Sequence, residues 1–157
     1  HWRFIIVNNQ QLRQQIREKS WDQSQVTDAS LLIVLAGDTM AWNKSPERYW
    51  KNAPAEVQEF MMPAINEYYK SKPEIQRDEV MRSCGMAAMN LMLTAKDLGY
   101  DSCPMDGFNF DAVAKLLNFP SDHIPVMFVA IGKALQDPRP RSGQLPVDQV
   151  VQYNQFK

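Results

Sequence analysis

Leu98-Gly99-Tyr100-Asp101-Ser102-Cys103-Pro104-Met105-Asp106-Gly107-Phe108 is the stretch on which the reading of this chain turns. It holds a helix stop, a short strand and a turn. Gly99 reads as a helix C-cap, because glycine enters left-handed backbone without steric cost. Tyr100–Cys103 has the length of a short buried strand. Pro104 and Gly107 predict a tight turn with backbone N–H groups free and pointing one way. Such a turn can hold the polar edge of a flat cofactor without using a side chain.

Upstream, Arg77–Leu98 carries the clearest helical pattern. Val80, Cys84, Ala87, Leu91, Ala95 and Leu98 follow the 3.6-residue period, and Met81, Met86, Ala88, Met89, Met92 and Leu93 widen the stripe almost all round. A helix apolar on most sides is buried on most sides. Within one small domain that predicts a central helix, or one packed against a second subunit. Gly85, Ala87 and Ala88 are small enough to let another backbone approach, and the methionines read as adaptable core filling. Downstream, Asn109 or Asp111 caps a short helix, Ala112–Leu117. Ile124–Gly132 is a fully apolar strand with Pro125 near its start. His123 reads as a loop histidine making local hydrogen bonds, with no accompanying cluster of His, Asp or Glu to make it a metal ligand.

Toward the N-terminus, Phe4–Val7 is a strand. Asn8-Asn9 is a turn and N-cap for a helix over Gln10–Lys19, with Leu12 and Ile16 on its apolar side. Trp21–Thr27 is a polar loop. Leu31–Ala36 is a continuous apolar run that suits a strand buried on both faces, closed by Gly37-Asp38. Within residues 40–72, a helical insert, Ser45-Pro46-Glu47 predicts a helix start with proline at the first helical position. Ala55–Tyr69 predicts a helix that Pro63 kinks or breaks. The insert reads either as a binding lid or as an ordinary amphipathic element. Its Trp42, Tyr49, Trp50, Phe60 and Tyr68 suit stacking on an aromatic acceptor and core packing alike. After Gly132-Lys133 the chain turns polar. Pro138–Pro146 reads as extended, and Val147–Phe156 has modest strand character, so residues 136–157 form an arm that needs another surface to lie on.

At 157 residues the chain fits one domain, 1–157, and its net charge of −1 has acids and bases mixed along the length. That excludes a clustered basic face for nucleic acid, and no apolar run approaches a membrane span. The two cysteines, Cys84 and Cys103, have no metal-ligand or C-x-x-C spacing and predict reduced core thiols of a cytoplasmic protein. His1-Trp2-Arg3-Phe4 is already a strand, so a preceding N-terminal part is expected to be missing.

No Gly-rich dinucleotide fingerprint, Walker loop, H-E-x-x-H or G-x-S-x-G motif occurs. Side chains alone offer little reaction chemistry, so an enzyme here would draw on a cofactor. Two features fit a flavin. One is the Pro104–Gly107 turn with its free donors. The other is the pair Arg139 and Arg141, whose forks match phosphate geometry.

Trp2–Val7, the Asp28-Ala29-Ser30 lead into a buried strand, and Ala87-Ala88-Met89-Asn90-Leu91-Met92 stand in the same order as in the nitroreductase family. So do Leu98–Phe108, the strand ending Val129–Lys133, and Arg139-Pro140-Arg141 leading to Leu145-Pro146. The chain therefore resembles that family over nearly its whole length. The resemblance implies an α+β fold with a mainly antiparallel central sheet flanked by helices. It also implies an intertwined homodimer that exchanges its C-terminal arm and binds FMN at the subunit interface. NAD(P)H would donate hydride to flavin N5, and a small-molecule acceptor such as a nitroaromatic or quinone would take it away, with no catalytic side chain. Pro104, Met105, Asp106 and Gly107 would line one face of the ring, with the Asp106 N–H near N5. Gln25 would reach the pyrimidine edge, and Arg139 and Arg141 would approach the phosphate. Members often have a basic residue where this chain has Gln144. The same frame also accommodates a flavin-binding or regulatory protein without turnover, or another flavin reaction.

Overall fold

The computed structural model of the chain describes residues 1–156. Its strands are β1 (Trp2–Ile6), β2 (Leu31–Asp38), β3 (Asp101–Met105) and β4 (His123–Gly132). They pair antiparallel throughout, in the order β1-β2-β4-β3. The apolar run of β2 is buried along its length apart from Leu31, as a strand covered on both faces must be. A register shift between Leu35 and Ala36 places Pro125 of β4 opposite Ala36. A bulge is where a residue without an N–H can sit inside a sheet.

Helices cover both faces. On one side α1 (Gln10–Glu18) and α5 (Phe110–Leu116) pack Ile16 and Val113 against Val7, Leu32, Val34 and Phe128. On the other, α4 (Pro73–Asp97) packs Val80, Cys84 and Ala88 against Ile33, Leu35 and Val129. The Asn9 side chain accepts from the Leu12 N–H at 2.8 Å, and that of Asn109 accepts from the Ala112 N–H at 2.9 Å. Asn109, not Asp111, is therefore the cap of α5. Gly99, at φ +75°, ends α4 as expected. The helix begins earlier than its apolar period suggests, with Pro73 at its first turn.

Other elements depart from the sequence pattern. One turn of helix, α2 (Gln25–Asp28), stands in the expected loop. Two short 3-10 turns, Ala41–Asn43 and Pro46–Tyr49, precede α3 (Ala55–Tyr69), which runs unbroken through Pro63. Pro63 and Glu59, whose carbonyl loses its partner, are both exposed, so solvent satisfies the orphaned acceptor. The expected C-terminal strand is instead a single helical turn, α6 (Val147–Val150). Every described residue from Lys133 onward is exposed, so no neighbouring strand offers this segment a ladder.

The sheet and α4 come into close contact at Gly37. A Cβ built there would lie 1.9 Å from Val80 Cγ1, and Val80 is buried under the helix. Beyond this contact α4 turns an apolar stripe outward, with Met86, Met89 and Leu93 exposed beside Gly85. On the same side of the sheet Trp2, Phe4 and Ile6 of β1 are about half exposed. The expectation of a helix buried on most sides thus holds for one face only within this chain. No helix among the described residues is long and apolar enough to cross a membrane.

Gly37→Ala is expected to force α4 off the sheet and destabilise the protein by about 1–3 kcal/mol, the usual cost of overpacking. Urea unfolding checks this, and Val80→Ala in the same chain should restore part of the loss.

Candidate functional site

Pro104 lies inside β3 and not in the turn, which corrects the boundary read from the sequence. The strand is at the edge of the sheet, where a missing N–H breaks no ladder on the open side. The chain leaves the strand at Asp106-Gly107. Two buried anchors flank that pair: Met105, whose side chain joins the core, and Phe108, stacked on Phe128 with ring centroids 4.0 Å apart. Phe108 N–H donates to the Asp106 carbonyl at 3.0 Å. The Asp106 and Gly107 N–H groups donate to no described residue. Pro104 and Asp106 are exposed beside them.

The loop before α2 lies on this turn. Gln23 Nε2 donates to the Gly107 carbonyl at 3.1 Å, and a Cβ at Gly107 would come within 2.7 Å of the Trp21 ring. Trp21 and Asp22 both adopt left-handed backbone, φ 53° and 52°, and the Arg17–Asp22 ion pair at 2.7 Å pins the bend. Gln25, two residues beyond Gln23, is exposed at the start of α2. The structure therefore joins the Gln25 loop to the Asp106-Gly107 turn through Trp21 and Gln23. Sequence reasoning missed both of these, because only their contact with a glycine more than eighty positions away reveals them.

Arg139 and Arg141 are exposed, and among the described residues nothing ties them to the turn. The arm is rooted at the other end of β3. The Lys133 ammonium donates to the Gly99 carbonyl and sits 4.5 Å over the Tyr100 ring, while the Ala134 N–H donates to the Asp101 carboxylate at 3.2 Å. Neither cysteine is disulfide-bonded. Burial pushes the Cys84 thiol up to about 11 and raises that of Cys103 as well, so both are protonated at neutral pH.

His123 does have an acidic cluster around it, contrary to the sequence reading. Pairing of β2 with β4 sets it opposite Asp38. Its Nε2 lies 3.7 Å from the Asp38 carboxylate and its Nδ1 lies 2.7 Å from Asp122 Oδ1. Asp38 is almost fully buried and accepts from Arg3 at 3.1 Å, Lys44 at 2.9 Å and the Met40 N–H at 3.0 Å. Lys44 also reaches Asp122 at 2.7 Å. The ligand atoms of Asp38, Asp122 and His123 lie within 4.8 Å of one another, but the Lys44 ammonium already bridges the two carboxylates. The cluster thus carries its own cation and acts as a clasp between the sheet and the insert.

Hydrogen bonds from Lys44, and then from His123, hold the Asp122 carboxyl down to about 2, against an ordinary value of 3.8. A depressed carboxyl favours the folded state above its ordinary value, and that contribution is lost as pH falls through the folded one. Lys44→Met is expected to destabilise the protein most above about pH 4, with the gap to wild type closing between pH 4 and 2. Thermal unfolding across that range measures it; a gap independent of pH would remove Asp122 from the clasp.

The profile of the Nitroreductase family matches residues 1–133. Protein DrgA of Synechocystis sp. is 55% identical over 136 residues, a match covering 87% of this chain and 65% of that protein. The chain thus spans just under two-thirds of DrgA's length. YodC of Bacillus subtilis, provisionally named an NAD(P)H nitroreductase, is 30% identical, with 96% of this chain and 76% of YodC covered. Among solved structures, a provisionally named nitroreductase of Exiguobacterium sibiricum in complex with FMN superposes with a TM-score of 0.86 at 28% identity. That match covers 97% of this chain and 76% of the other.

Proposed function

This chain belongs to the nitroreductase family, and we propose that the protein it represents is an FMN-dependent oxidoreductase using NAD(P)H. The observation that carries the reading is the Asp106-Gly107 turn. Its two N–H groups lack partners, two buried side chains fix its position, and the loop bearing Gln25 is packed on it. These residues fit a flavin: the donors suit ring nitrogens and carbonyls, and the exposed Pro104 offers a flat apolar wall. The FMN-bound relative and the donor named for YodC point the same way. Bound at this turn, FMN would supply ping-pong two-electron hydride chemistry between NAD(P)H and a nitroaromatic, quinone or similar acceptor.

The chain's own part is to orient and to anchor. The Asp106 main-chain N–H marks the ring edge where charge changes, so its side chain is dispensable for that contact. Gln25 offers an amide to the pyrimidine edge. Arg139 and Arg141 would supply paired donors to the phosphate from an arm crossing to a second copy of the chain. Two observations support such a homodimer: the outward apolar stripe of α4, and an arm that makes no core of its own.

The full-length protein is expected to purify yellow and to consume NAD(P)H when given a nitroaromatic or quinone. A colourless protein that stays inactive after FMN addition overturns the proposal. In flavin titrations Arg141→Ala should weaken FMN binding by about 1.5–3 kcal/mol, the range for a hydrogen bond to a charged group. Asp106→Asn should leave it nearly unchanged.

A further inference from the structure

Gln23 makes two hydrogen bonds with one nitrogen. Its Nε2 donates to the Ser20 carbonyl at 3.1 Å and to the Gly107 carbonyl at 3.1 Å, so both amide hydrogens are spent on main-chain acceptors. Ser20 is a firm base for this link. It is fully buried, and its hydroxyl donates to the Ile16 carbonyl of α1 at 2.7 Å. Between Ser20 and Gln23 the backbone is left-handed at both Trp21 and Asp22. Two such residues in succession, one of them a bulky tryptophan, are costly and persist only where surrounding contacts fix them. The result is one amide set against the carbonyl of Gly107.

The effect of that bond does not end at the carbonyl. The Gly107 carbonyl and the Phe108 N–H belong to one peptide group. That N–H donates to the Asp106 carbonyl at 3.0 Å, closing a three-residue turn centred on Gly107. The Asp106 carbonyl in turn shares its peptide group with the Gly107 N–H, which donates to no described residue. Three donors thus stand in series: the Gln23 amide, the Phe108 N–H and the free Gly107 N–H. A hydrogen bond accepted by a peptide carbonyl polarises that peptide's own N–H and strengthens its bonds by about 10–30%. The Asp106 N–H stands outside the series, because the carbonyl of its peptide group is that of Met105.

We propose that Gln23 is a positioning residue that acts through the Gly107–Phe108 peptide to strengthen the Gly107 N–H as a donor, and so raises the reduction potential of a flavin bound at the turn. The proposal rests on the flavin reading above. Reduction adds electron density to the acceptor atoms of the ring, so a stronger donor facing them favours the reduced form. Gln23 touches no ring atom in this scheme; its amide sets the strength of a main-chain group that does.

The test compares the full-length protein with Gln23→Met, which keeps the length of the side chain and removes both donors. In the flavin-free protein the carbon-13 signal of the Gly107 carbonyl and the nitrogen-15 signal of Phe108 should move upfield in the variant, since a carbonyl that loses its donor is less polarised. With FMN added, the variant's affinity for reduced FMN should fall about threefold further than its affinity for oxidised FMN. At about 30 mV per tenfold, that lowers the two-electron potential by about 15 mV. A side chain that only steadied the turn would weaken both forms alike and leave the potential where it is. Equal potentials in the two proteins, or unmoved Gly107 and Phe108 signals, overturn the proposal while the flavin reading stands. Failure of the wild-type protein to take up FMN, with the NMR shifts present, overturns the flavin reading, and the tuning falls with it. Should Gln23→Met not fold, Gln23→Asn, one methylene shorter, withdraws the amide from Gly107 and is read in the same two ways.

Discussion

A carboxylate buried at the end of a sheet must be paired where it stands, and the Asp38 side chain is paired from three directions. Arg3 comes from β1, Lys44 from the first turn of the insert, and the Met40 N–H from the backbone between them. His123 adds an imidazole from β4. Leaving such a charge with fewer partners is costly, so the ends of three strands and the root of the insert are located relative to one point. The first 3-10 turn, with the buried Trp42, stands where it does because Lys44, two residues on, is held by two carboxylates.

The parts of the fold that depend on local pattern were legible. The continuous apolar runs of β2 and β4 demanded burial and found it, and so did the 3.6-residue stripe of α4 from Val80 to Ala95, though not Leu98 at its end. Asn9 and Asn109 cap helices because their short side chains reach back to the first turn. What escaped was set by neighbours. Pro104 reads as a turn residue, yet an edge strand accepts it. Val147–Phe156 has strand composition but no ladder among the described residues. Asp38 and His123 lie 85 positions apart, and only strand pairing makes them a cluster. For the candidate site, the donor-bearing turn was visible as a glycine after a proline. The packing of Trp21 and Gln23 against it was not, since nothing local marks those residues as contacts of Gly107.

Two classes of surface divide this molecule. One is finished: the two cores on either face of the sheet, closed by α1, α5 and the inner side of α4. The other is open: Met86, Met89 and Leu93 on α4, the outer row of β1, and the arm with Leu135, Tyr153 and Phe156 nearly bare. Exposed apolar area on this scale marks an interaction surface. The turn at Asp106-Gly107 belongs to the finished part, so its donors are placed before any ligand or second subunit arrives.

The root of the arm has a further consequence. Lys133 and Ala134 are fastened to Gly99, Tyr100 and Asp101, and beyond them the backbone makes no ladder contact with the body. Proteolysis therefore has a natural point of attack. Arg139 precedes a proline and resists a trypsin-like enzyme, whereas the Arg141–Ser142 bond stands exposed in extended chain. Cutting it would leave the sheet intact and remove only the distal arm, so the lifetime of one peptide bond reports whether the arm lies free or is held down.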